Sequence, residues 1–158
     1  MRFLLSAFLL SIAMAQPGDQ AYAKWLNEDV VYIVTPEERA AFQKLKLSEE
    51  REHFIEQFWL RRDPTPDTVE NEFKEEHYRR IAYANDRYNA AVPGWNTDRG
   101  RMYILYGPPD EIESHPQQAR ESWMFHKLEG IGVNVIVEFT DPAGTGDFRM
   151  TRDPAAAK

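Results

Sequence analysis

The sequence predicts an α+β domain in which N-terminal helices, one of them long, pack on a three- to four-stranded antiparallel meander. Two observations carry this. Up to Ala91 the apolar residues recur at helical spacing between capping signals and prolines, and after Val92-Pro93-Gly94 they alternate instead. Helices gathered before strands, not interleaved with them, are the mark of an α+β chain.

The chain opens with Met1-Arg2, an apolar run from Phe3 to Met14, and Ala13-Met14-Ala15, the small-x-small form cut by signal peptidase. Residues 1–15 are therefore predicted to be a cleavable signal peptide, with Gln16 first in the mature protein. The run is shorter than the ~20 residues that span a bilayer, so no stable membrane insertion is expected after cleavage. The chain has no cysteine, so no lipid-bearing residue follows the run. The compartment expected is the periplasm or the medium, and the fold holds there without disulfides. Residues 16–34 form an N-terminal segment, 35–152 one α+β domain and 153–158 a flexible tail.

Within the segment, Ala21 to Asn27 looks helical, whereas Val30-Val31-Tyr32-Ile33-Val34 is β-branched, and both helix and strand stay open for residues 28–34. Thr35-Pro36-Glu37-Glu38 is a capping box with proline at the first helical position, starting a helix to about Leu47. Ser48 is read as the cap of the next helix, whose apolar face holds Phe54, Ile55, Phe58 and Trp59 until Pro64 and Pro66 stop it. Asp67-Thr68-Val69-Glu70 reads as a second capping box, opening a helix to Ala91 of roughly 35 Å. Its stripe includes Val69, Phe73, His77, Ile81, Ala84 and Tyr88.

Met102-Tyr103-Ile104-Leu105-Tyr106, closed by Gly107-Pro108-Pro109, suits a buried strand. Trp123 to His126 and the alternating Val133, Val135, Val137 and Phe139 supply further strands, separated by Gly130-Ile131-Gly132. Asp141-Pro142-Ala143-Gly144 turns the chain again.

The densest chemical feature is Gly94-Trp95-Asn96-Thr97-Asp98-Arg99-Gly100-Arg101. In the structural reading Gly94 reverses the chain, Trp95 plugs the core, Asp98 bonds backbone amides and Gly100 takes a positive φ. In the functional reading Trp95, Thr97, Asp98, Arg99 and Arg101, with Asp110, form a surface for a carboxylate or a peptide segment. Arg62 and Asp63, beside the capping Asp67, are candidates to join Asp98 and Arg101 in one polar network under Trp95.

These residues carry a family resemblance. Gly94 to Asp98 fits the GWxTD pattern, and Arg99 to Asp110 resembles that family's continuation. Upstream, Thr35 to Arg39, Phe58 to Thr68 and Asn71-Glu72-Phe73 resemble its helical half. The resemblance implies a signal-bearing bacterial envelope or secreted protein without an assigned activity, and it supplies no catalytic residue. A looser similarity, through Gly107-Pro108-Pro109, Trp123 to Phe125 and Phe139-Thr140-Asp141, is to small lipoproteins of the outer-membrane assembly machinery, whose acylated cysteine is missing here.

Other chemistry finds little support. A net charge of −7 disfavours nucleic acid as a partner. Glu50 and His53 have dimetal-bundle spacing, but the residue three before His77 is Lys74, and His115 and His126 lack ligand-spaced neighbours, so no metal or other cofactor is expected. No Gly-x-Ser-x-Gly elbow surrounds Ser48, Ser114 or Ser122, and Gly107-Pro108-Pro109-Asp110 lacks the amides of a phosphate loop. The expectation is an interaction or structural module whose partner is an envelope protein or peptide segment. The alternative is a cofactor-free hydrolase of an envelope polymer with carboxylates near Asp98 and Asp110.

Overall fold

The computed structural model describes residues 17–157, and the signal peptide and cleavage site read from the sequence lie outside the described residues. Among those residues, five α-helices precede a four-stranded antiparallel sheet of order β1-β2-β3-β4, the α+β meander that the sequence predicts.

Helix α1 (Pro17–Lys24) runs into a π-helical turn, Trp25–Asp29, and then an irregular turn. Residues 28–34 thus form no strand. The amides of Val30, Ile33 and Val34 bond locally to the carbonyls of Trp25 and Val30, which keeps them from a neighbouring strand. The coil also brings Trp25, Leu26 and Val30 together against Phe42, Phe58 and Trp59 in a compact N-terminal cluster.

Helix α2 (Pro36–Lys44) starts at the expected capping box: Thr35 Oγ1 accepts from Glu38 N at 3.2 Å, and the Glu38 carboxylate accepts from Thr35 N at 3.1 Å. In α3 (Ser48–Leu60) the expected cap is corrected. Ser48 is the first helical residue and Leu47 occupies the cap position, where Glu50 reaches back to accept from Leu47 N and Lys46 N. An ionised carboxylate bonds these amides more strongly than a neutral hydroxyl would.

The long helix is shorter than expected, α4 spanning Glu72–Arg87, about 24 Å at helical rise. Asn71 caps it, accepting from Lys74 N at 2.9 Å, so Asp67 does not. Residues 65–70 are held as a loop because the Thr65 hydroxyl donates to Glu72 and the Thr68 hydroxyl to the carbonyls of Thr65 and Glu70. His77 is buried among Trp59, Phe73 and Tyr78, and its Nε2 lies 2.6 Å from the Asp29 carbonyl. A carbonyl only accepts, so Nε2 carries the proton.

The largest correction concerns residues 102–106, which belong to helix α5 (Asp98–Tyr106) and not to a strand. Thr97 caps this helix, and Gly107, at φ 82°, ends it. The strands are β1 (Glu111–His115), β2 (Arg120–Leu128), β3 (Gly132–Thr140) and the short β4 (Arg149–Met150). Trp123, Phe125, Val137 and Phe139 face inward against Ala84, Tyr88, Met102 and Ile104. Helix α4 serves both cores, with Tyr78 against the N-terminal cluster and Ala84 in the sheet core. No described helix is long and apolar enough to cross a membrane.

Candidate functional site

The segment from Gly94 to Arg101 begins as a single 3-10 turn, Gly94–Asn96, and continues as the first turn of α5. Its two glycines are required by contact and not by a positive φ. A Cβ on Gly94 would lie 1.9 Å from the Ala84 carbonyl oxygen, and one on Gly100 would lie 1.8 Å from the Gly94 carbonyl oxygen. Helix α4, the turn and α5 therefore touch through bare backbone.

Polar groups then fasten each layer. Asn85 Oδ1, in the last turn of α4, accepts from Trp95 N at 2.9 Å, and Asn89 Oδ1, just past the helix, from Gly94 N at 2.6 Å. Thr97, 2% exposed, donates its hydroxyl to the Gly94 carbonyl at 2.8 Å and accepts from Gly100 N at 3.0 Å. Tyr32 donates to the Trp95 carbonyl at 3.0 Å, which ties in the N-terminal segment. Trp95 is half-buried, packed on the sheet core by one side while another lines an open cleft of about 630 Å³ with Asn85, Asn89 and Ile81.

The charged residues reach the sheet. Asp98 accepts from Met150 N at 2.8 Å, fixing β4 to the start of α5. Arg99 lies over Phe148 at 4.3 Å and Tyr88 at 5.1 Å, donates to the Gly146 carbonyl at 3.1 Å, and pairs with Glu121 at 3.5 Å. Asp141 shapes that same loop by accepting from the amides of Thr145 and Gly146. Arg101 donates to Asp153 at 2.8 Å, so the first residue of the tail is bonded to α5, and residues 154–157 form a 3-10 turn.

The expected single network under Trp95 is two separate ones. Arg62 stacks on Phe58 at 3.7 Å and donates to Glu38 at 2.7 Å and to the carbonyls of Ile33 and Phe58. Burial works against the Glu38 carboxylate, but Arg62, the Thr35 amide and Arg61 outweigh it and hold its carboxyl at about 2. Asp63 accepts from Thr65 N in the following loop, and Asp67 is exposed there. Arg62 is thus committed to the N-terminal cluster, and among the described residues no bond joins it to Asp98. Asp110 lies at the β1 edge, where its carboxylate accepts from His126 N at 2.6 Å. The bond to that amide holds the Asp110 carboxyl below its ordinary range, the reverse of what a general acid needs.

Tyr32, Asn85, Asn89 and Asp153 are partners that the sequence reading missed, and Glu38, read only as part of a helix cap, also holds Arg62. Asn85 and Asn89 stand four apart before a proline, which was a signal for a polar helix end. Asp153 had no local sign, since its partner lies 52 residues away. Among the described residues, no group of three or more histidines and carboxylates is placed to hold a metal ion. Asp98 and Asp110 are both occupied with backbone amides of different strands.

No curated protein and no solved structure matches the chain. The family model of the GWxTD domain matches residues 8–155, nearly the whole length. The chain belongs to the GWxTD domain family.

Proposed function

We propose that this chain is an exported envelope module that works by binding other proteins, with the GWxTD segment as its internal clasp and not its working surface. The observation that carries this reading is how the motif spends its polar groups: Thr97, Asp98, Arg99 and Arg101 each bond within the chain. Large apolar side chains stand open elsewhere, Val133 at 72% and Ile136 at 63% on β3, and Val69 on the loop before α4. Ile136 lines one open groove with Ile131 and Val135, and Val69 another with Ile55 and Leu60, and it is such contiguous apolar surface that marks protein contacts. Export rests on Ala13-Met14-Ala15 following a short apolar run.

The test is made in cells. A photo-crosslinking amino acid at Val69 or at Ile136 is expected to capture envelope proteins in the periplasmic or secreted fraction, with a mature chain that begins at Gln16. A cytoplasmic chain that keeps Met1 to Ala15, or the same crosslinks from a buried control at Val137, would overturn the proposal.

A further inference from the structure

We propose that the groove between the second half of α3 and the loop before α4 docks a segment of a partner protein that presents aliphatic side chains flanked by lysine or arginine. The inference rests on the interaction-module reading and names the chemistry of its partner.

The groove holds about 400 Å³, room for a few aliphatic side chains. Trp59 forms its floor, and Ile55, Leu60 and Val69 form its apolar walls. Leu60 is 47% exposed and Val69 is fully exposed. Val69 does not stand out through slack. The Thr68 hydroxyl bonds the carbonyls on both sides of it, those of Thr65 and Glu70, and the Thr65 hydroxyl is tied to Glu72 at the start of α4. A pinned loop that presents valine to solvent is organised for contact at little further entropic cost.

Charge decides the occupant. Several part-buried acids pair with arginine: Glu38 with Arg61 and Arg62, Glu76 with Arg79 and Arg80, Glu121 with Arg99, and Asp153 with Arg101. Among the described residues, no arginine or lysine pairs with the acids that line the groove. Glu52 accepts from the Tyr22 hydroxyl, Glu56 faces the exposed His53, and Asp63 accepts from the Thr65 amide. On the rim Lys74 leans over Trp59 at 5.9 Å. Three carboxylates against one ammonium in the lining leave the groove net negative around an apolar floor, which complements a cationic, aliphatic segment and disfavours an acidic one.

The test uses the full chain and a fluorescein-labelled leucine-lysine amphipathic peptide of about twelve residues, about 18 Å long as a helix. Anisotropy at low salt is expected to show binding that the glutamate-for-lysine version of the peptide lacks. Val69→Asp, and separately Glu52→Lys with Glu56→Lys, are each expected to weaken it by about tenfold or more. Glu111→Lys with Glu113→Lys, an equal charge reversal on the exposed β1 edge, is expected to change it by less than about twofold. Circular dichroism checks that each variant, altered at exposed positions, keeps its fold.

Equal weakening by the β1 reversal would reduce the binding to bulk charge, and unchanged binding by Val69→Asp would empty the groove of meaning. A dimer that Val69→Asp dissociates would assign the groove to a second copy, and a crosslink from position 69 to residues 1–15 would assign it to the chain's own leader; each overturns the proposal. Failure here with crosslinks from Ile136 intact leaves the interaction reading standing, whereas loss of crosslinks at both positions defeats both.

Discussion

Gly100→Ala sets two physical effects against each other with opposite signs. In a helix interior alanine is better than glycine by about 0.8 to 1 kcal/mol, so on propensity alone the change in the first turn of α5 stabilises by up to that amount. The new Cβ, however, would lie 1.8 Å from the Gly94 oxygen, 2.8 Å from its carbonyl carbon and 3.1 Å from Thr97 Oγ1. The first two are backbone atoms of a turn that is itself pressed against Ala84, so relief requires α5 to withdraw from the turn and take Met102 and Ile104 with it. Overpacking costs typically 1 to 3 kcal/mol and here displaces backbone and strains the Thr97 cap as well, so the net loss should be about 3 kcal/mol. That is a large fraction of a small domain's stability and corresponds to roughly 10 °C in Tm. Urea unfolding followed by tryptophan fluorescence and by circular dichroism measures it. A variant more stable than wild type by about 1 kcal/mol would show that propensity wins and that the close approach does not hold the layers.

Three further outcomes follow from the same geometry. The folded Glu38 carboxyl titrates at about 2 against an ordinary 4.5, so its contribution is complete above 4.5 and is lost as the pH falls toward 2. At about 1.4 kcal/mol per unit, and discounted for the exposure of Arg61, the wild type should lose about 2 kcal/mol more than Glu38→Gln across that window, as acid-dependent urea unfolding would show. Trp95→Ala should cost about 2 kcal/mol, less than the 3 to 5 of a fully buried aromatic, because one side of Trp95 already meets the open cleft. Asp98→Asn keeps an acceptor for Met150 N at a partly exposed site and should cost about 1 kcal/mol in the same assay; no change would mean that the bond to β4 carries nothing.

Much of this architecture is written in local chemistry. The Thr35 capping box and the alternation ending in Val137 and Phe139 act within a few residues, and they appear where the sequence places them. The misread elements are those decided at a distance. Met102 to Tyr106 has a strand's composition, yet Thr97 starts a helix, and Gly100 packs on the Gly94 turn that in turn packs on α4. The Asp67 capping box is a sound local signal, but Thr65 and Thr68 use their hydroxyls to close a loop, and Asn71 both caps α4 and donates to the Trp59 carbonyl. Strand β1 reads Glu-Ile-Glu-Ser-His, a polar edge that pairs through backbone, so hydropathy gives it no signature. At the GWxTD segment the residue list was legible and the partners were not. Arg99 finds its place over Phe148, and Asp98 on Met150, only once the sheet has returned to α5.

Whether the motif is a clasp is tested most directly by comparing Thr97→Val with Thr97→Ser in chemical denaturation. Thr97 is buried, and its hydroxyl joins the Gly94 carbonyl to the Gly100 amide. Valine keeps the shape and leaves that amide without its acceptor, for a loss of about 2 to 4 kcal/mol; serine keeps the hydroxyl and gives up a methyl, for about 1 kcal/mol. The clasp requires the more apolar variant to be the less stable of the two. Valine as stable as wild type, or more stable than serine, would contradict it.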